Sequence, residues 1–187
     1  MKKKSQSSTN TELEYPFSKG NNPQGGISFL ELTRVRDKKT RAFVEQALQL
    51  ANPEFFHIPA SSSGKYHPAF AQGEGGLVRH TKAALILADE LFPLYNFSDL
   101  EKNRIRAALI LHDIEKPHKE HPILVKKTLK PLAGKWPKTY KSVIGLIESH
   151  MGQWNLDGVL PTPVTEAQRF VHLCDYLASR KVINITM

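Results

Sequence analysis

Five residues of this chain carry metal-binding or acid–base side chains at positions that the apolar periodicity turns inward. His80 lies three residues after Leu77 and four before Ala84, the spacing that puts side chains on one helical face. His112 follows Ile105, Ala108 and Leu109 by seven, four and three residues, with Asp113 next to it. His150 follows Val143 and Ile147 by seven and three; Asp175 follows Val171 by four and precedes Ala178 by three. A carboxylate aimed into a helical core is costly unless it is paired or binds a cation. Taken singly, each histidine reads more readily as a hydrogen-bonded core residue, and each aspartate as a cap. Taken together, two carboxylates and three imidazoles point inward from four segments, and one shared cation would satisfy the set. With eight histidines against one cysteine, Cys174, such a cation would be held through nitrogen and oxygen.

The elements that must position these residues read as helices. Apolar residues recur at helical spacing over residues 41–51, 76–92, 122–130 and 137–151. Ser98 with Glu101 fits a capping box that opens a helix running towards His112. Thr162 followed by Pro163 reads as the start of the last helix, which extends to about residue 182. A loop rich in Ser, Gly and Pro spans residues 52–75. No window alternates strictly and no segment repeats, so the expectation is an all-α domain of five to seven helices. Residues 1–26, rich in Lys, Ser, Asn, Gln and Gly, read as a flexible basic tail, and residues 27–187 as one domain.

The composition sets outer bounds. A chain of 187 residues, 40% apolar and 24% charged, is the size and make-up of one globular domain. The longest apolar run covers only residues 83–88, far short of the about 20 a membrane span needs. No apolar stretch follows the first lysines, which argues against a secretory signal. The single cysteine favours a reducing compartment, so a cytoplasmic location is expected, with no membrane partner. The net charge of +8 fits an anionic substrate and a generally basic surface equally well.

His80, the adjacent pair His112–Asp113 and the late Asp175 resemble the H…HD…D signature of the HD-domain metal-dependent phosphohydrolases. The segment GGLVRHT at residues 75–81 is similar to the run preceding the first ligand in several branches, including the HD domains of some bacterial 3′–5′ exoribonucleases. The segment AALILHDIEK at residues 107–116 resembles the family's HDxGK element, and the likeness covers about residues 60–185. The resemblance implies a single HD-domain helical bundle in which His80, His112, Asp113 and Asp175 hold a divalent ion. His150 and His121 stand where two-metal branches place further ligands, with His118 less well placed. Mn, Fe, Ni, Co or Mg, one or two per chain, are all implied. Asp113 would orient the attacking water and Lys116 would contact phosphate. Glu115 replaces the family's glycine, and a base, a water-orienting group and a solvent-facing residue are all compatible with it.

Substrate signals are weaker. Between residues 101 and 150 eleven Lys or Arg face five Asp or Glu, a balance of +6. The loop at residues 61–68 and the glycines at 73–76 lead into a helix N-terminus suited to an anion, with Lys65, Arg79 and Lys82 as phosphate candidates. His67 lines the site or is an idle loop residue. Trp154 stacks on a base or simply packs. His172, one turn before Asp175, is a candidate supporting partner, and Cys174 a buried small hydrophobe. The expected function is metal-dependent hydrolysis of a phosphoester in a nucleotide or nucleic acid. The alternatives are a 3′–5′ exonuclease on single strands and a non-catalytic, metal-holding module that senses a nucleotide or binds a partner.

Overall fold

The computed structural model describes residues 30–154 and 158–183. The tail expected over residues 1–26 lies outside them. Among the described residues the chain forms six α-helices joined by short 3-10 turns, with no strand. They are α1 (Lys38–Leu48), α2 (Gly76–Leu91), α3 (Asp99–Leu111), α4 (His121–Thr128), α5 (Pro137–Ile147) and α6 (Glu166–Ala178). The all-α expectation and the helix number both hold.

Helix α3 is the axis of the bundle, packed against α1, α2, α5 and α6. The sequence dictates this role, because Ala107, Ala108, Leu109, Ile110 and Leu111 are consecutive apolar residues and all five are fully buried. A helical segment apolar on every side, as these last five residues of α3 are, has no solvent face to offer. Its start is fixed as expected: the Ser98 hydroxyl accepts from the Glu101 amide, and the Glu101 carboxylate accepts from the Ser98 amide. Helix α2 crosses both α3 and α6, and α4 rests on α5. No helix among the described residues is long and apolar enough to cross a membrane.

Several boundaries differ from the sequence reading. Helix α6 opens at Thr165, not at Thr162–Pro163, because Thr165 and Gln168 form a reciprocal capping box. The Gln168 side-chain amide also donates to the Gly145 carbonyl at 2.9 Å, tying the start of α6 to α5. Helix α5 stops at Ile147, four residues early, and α6 at Ala178. The chain beyond α5 turns through Gly152, whose φ of +54° is left-handed.

Candidate metal centre

Helix ends build the cluster. His80 projects from the second turn of α2. His112 is the C-cap of α3, its backbone still helical (φ −60°, ψ −33°), and Asp113 follows in the turn. His121 opens α4, and His150 lies in the turn after α5. Asp175 comes from α6. His80, His112, Asp113, His121 and His150 are buried, whereas the Asp175 side chain is 20% exposed and marks the open side.

One repeated contact fixes three rings. Nδ1 of His112, His121 and His150 lies 2.7, 3.0 and 2.7 Å from the carbonyl oxygens of Leu109, His118 and Ile147, each three residues earlier. A carbonyl only accepts, so Nδ1–H donates and Nε2 is the ring nitrogen that faces the cluster, open to a proton or a cation. For His112 and His150 these carbonyls belong to helix C-termini, where oxygens lack intrahelical partners. The same ends favour positive charge.

The inward atoms crowd together. His80 Nε2 is 2.9 Å and His112 Nε2 3.5 Å from Asp175 Oδ1. Asp113 bridges two groups: Oδ2 lies 3.2 Å from His112 Nε2 and 2.7 Å from Lys116 Nζ, and Oδ1 3.0 Å from His121 Nε2 and 3.8 Å from His150 Nε2. The Nε2 atoms of His121 and His150 are 3.2 Å apart. Two bare nitrogens at that distance repel unless a proton or a cation joins them. Two sets of potential ligand atoms, His80/His112/Asp175 and His112/Asp113/His150, each fall within 4.8 Å of one another.

The donor set fits a divalent ion. His112 Nε2 and both carboxylate oxygens of Asp113 are buried without a hydrogen bond of adequate geometry, although buried polar atoms almost always have a partner. Three or more nitrogen and oxygen donors converging on one point are what such an ion requires. Electrostatics agree. Burial alone would lower the His112 imidazole, yet the Asp113 and Asp175 carboxylates push it up to about 10. Burial works to raise Asp113, but the charges of His112 and Lys116 hold it well below the usual carboxylate range. Asp175 is likewise held low, against its burial, by the neighbouring imidazoles of His112 and His80. Burial, followed by the His112 charge, drives His150 down to about 3, so it stays neutral.

The other candidates divide. Lys116 is 24% exposed and ion-paired to Asp113 at the rim of a cleft of about 480 Å³ lined by Ala60, His67, Lys119, His121 and Met151. The His67 ring packs edge-on against His80, centres 5.4 Å apart, with Nδ1 buried and unpartnered. Burial and then the His80 charge lower His67 to about 4. His172 Nδ1–H donates to the His150 carbonyl at 2.7 Å, a supporting contact. Glu115 is half-buried in the turn after Asp113, and its carbonyl accepts from the His118 amide. Cys174 is fully buried, and burial pushes its thiol up.

The glycine-rich N-terminus of α2 is not the anion site the sequence suggested. The amides of Gly75, Gly76 and Leu77 donate to the carbonyls of His57, Gly73 and Ile58. A Cβ on Gly76 would sit 2.3 Å from the Ala71 oxygen, so the glycine pair serves close backbone packing. Arg79 joins this packing, its Nε and a terminal nitrogen donating to the Phe70 and Gln72 carbonyls. Lys82 pairs with Glu31 at 3.5 Å. Lys65 lies over the Tyr66 ring at 5.2 Å. Trp154 stacks on Tyr176 with 44% of its surface exposed. Sequence reasoning missed Tyr66, Tyr176 and Arg180 around it, although Tyr176 and Arg180 are four residues apart and so share a helical face.

A family model for the HD domain matches residues 77–180. No curated protein and no solved structure matches the chain. Since the match begins on the helix that carries His80, spans more than half of the chain and runs past Asp175, the chain belongs to the HD-domain family, whose members are generally metal-dependent hydrolases.

Proposed function

We propose that this chain hydrolyses a phosphoester of a nucleotide or nucleic acid with one or two divalent ions. His80, His112, Asp113 and Asp175 would hold the first ion, and His121 and His150 a second beside Asp113. The observation that carries this reading is the buried, unsatisfied edge formed by His112 Nε2 and the Asp113 oxygens beside a cationic cleft. When bound, a divalent ion supplies Lewis-acid polarisation of a phosphoryl oxygen and lowers the pKa of water.

The chain's own residues supply the rest. The carbonyls of Leu109 and Ile147 lock His112 and His150 in the tautomer that presents Nε2. Asp113, held anionic by its neighbours, accepts a hydrogen bond from an attacking water and orients it. Lys116 stands at the rim with Lys119, where its ammonium meets charge developing on the phosphoryl oxygens. The volume of about 480 Å³ lies within the range of small-ligand clefts.

The test is a screen of the Mn²⁺-reloaded chain against nucleoside mono- and triphosphates, cyclic dinucleotides and a labelled single strand. Turnover is expected on at least one, and Lys116→Ala should lower kcat roughly a hundredfold with metal content retained. Stoichiometric metal without turnover on any of them would contradict the hydrolase and leave a metal-holding sensor module.

A further inference from the structure

Beside the metal centre, four side chains form a cation–aromatic cluster that the hydrolytic reading leaves unused. Arg180, two residues past α6, places its guanidinium carbon 4.6 Å from the Tyr176 ring centre and 5.7 Å from those of Tyr66 and Trp154. Its Nε and a terminal nitrogen donate to the Ser179 hydroxyl at 3.1 and 2.8 Å, which fixes the guanidinium plane. Trp154 lies nearly parallel to Tyr176, with centres 5.3 Å apart and 18° between planes. Two rings are nevertheless open, Tyr66 at 54% and Trp154 at 44% exposure.

Position gives the cluster meaning. Tyr176 follows Asp175, the ligand on the open side of the centre. Tyr66 precedes His67, whose ring packs on His80. Trp154 packs on His172, which holds the His150 carbonyl. The cluster is thus tied to residues of the metal centre at three points: by chain adjacency at Tyr66 and Tyr176, and by packing at Trp154.

We propose that Tyr66, Trp154 and Arg180 form a stacking platform for an unpaired nucleobase whose phosphoester lies at the metal centre. The phosphoester part rests on the hydrolase reading; the base-binding part does not. Every base offers a π-face, so half-exposed aromatic rings on a rigid backing recognise bases without regard to sequence. The fixed guanidinium adds cation–π attraction and positive potential next to the phosphate. A sugar phosphate without a base would leave these rings uncovered.

The test uses the full chain without metal. Anisotropy titrations compare a labelled single strand of mixed sequence with an abasic strand of equal length. Tryptophan quenching compares a nucleoside monophosphate with ribose 5-phosphate, since Trp154 is exposed and Trp136 is buried. Base-bearing ligands should bind at least about tenfold more tightly. In the anisotropy titrations, Trp154→Ala and Tyr66→Ala should each remove most of that preference, and Trp154→Phe should keep it. Quenching by the monophosphate assigns a free nucleotide, and a response to the strand alone assigns a strand end. Equal binding of abasic and base-bearing ligands, or an unchanged preference in both alanine variants, overturns the proposal. His112→Ala must keep the base preference while losing metal, so failure of the hydrolase reading and failure of the platform give different results.

Discussion

Asp113→Asn preserves shape and removes one charge at the middle of the cluster. The carboxylate is 1% exposed and faces Lys116 at 2.7 Å, His121 at 3.0 Å and His112 at 3.2 Å. Removing one partner of a buried ion pair costs about 3–5 kcal/mol, because the other charge is left uncompensated. Lys116 is 24% exposed and recovers some solvation, and the histidines can shed protons, so the low end, about 3 kcal/mol, applies. With an m-value of about 1–3 kcal/mol/M, the urea midpoint of the metal-free protein should fall by about 1–3 M. Saturating Mn²⁺ at about a hundred times Kd should add about 2.7 kcal/mol to wild type and much less to the variant. The metal-free wild type also has a signed pH dependence. The His112 pKa is raised to about 10 in the folded state, so its contribution is present below about 6.5 and lost as pH rises through about 10. Asp113→Asn should flatten that loss. Urea unfolding followed by circular dichroism, in chelator and in Mn²⁺, reads all three effects. A variant as stable as wild type in chelator, with an undiminished metal shift, would refute the reasoning.

Two further substitutions probe what holds the centre in place. Gly152→Ala meets both a left-handed backbone (φ +54°) and a Cβ 2.3 Å from the His172 ring. It should cost about 1–3 kcal/mol in thermal unfolding and weaken metal binding about 10- to 100-fold in a titration, by dislodging His172 from the His150 carbonyl. Asp37→Ala removes the cap of α1, whose carboxyl accepts from the Thr40 amide, and should cost about 1 kcal/mol at neutral pH. The Thr40 side-chain hydrogen bond lowers the Asp37 pKa, so this contribution is present above about pH 3.9 and lost as pH falls below it. Denaturation of both proteins at pH 7 and pH 2 should show the gap closing in acid.

Periodicity revealed His80 and Asp175 because both sit inside helices, where spacings of three and four mean one face. It also found His112 and His150, although neither lies within a helix. The turns that follow α3 and α5 begin with helical dihedrals at His112 and Glu148, so the phase of each apolar stripe carries over far enough to aim the rings inward. Asp113 was legible only through its neighbour, because the turn after α3 swings it in. Loop packing carried no such signal. His67 reaches His80 across a segment with no period, and Trp154, Tyr66 and Arg180 meet through three unrelated stretches of chain. The α2 N-terminus misled for the opposite reason: its glycines looked open in sequence, but neighbouring carbonyls occupy their amides.

The most direct test of the account is metal content per chain by elemental analysis, after reloading with Mn²⁺, for wild type and His112→Ala. His112 belongs to both potential ligand sets and packs its Nε2 3.2 Å from Asp113, the carboxylate shared by the two positions, so its loss should empty the whole centre. One or two ions in wild type and none in the variant is the predicted result. No ion in carefully reloaded wild type would contradict the metal centre and the mechanism built on it.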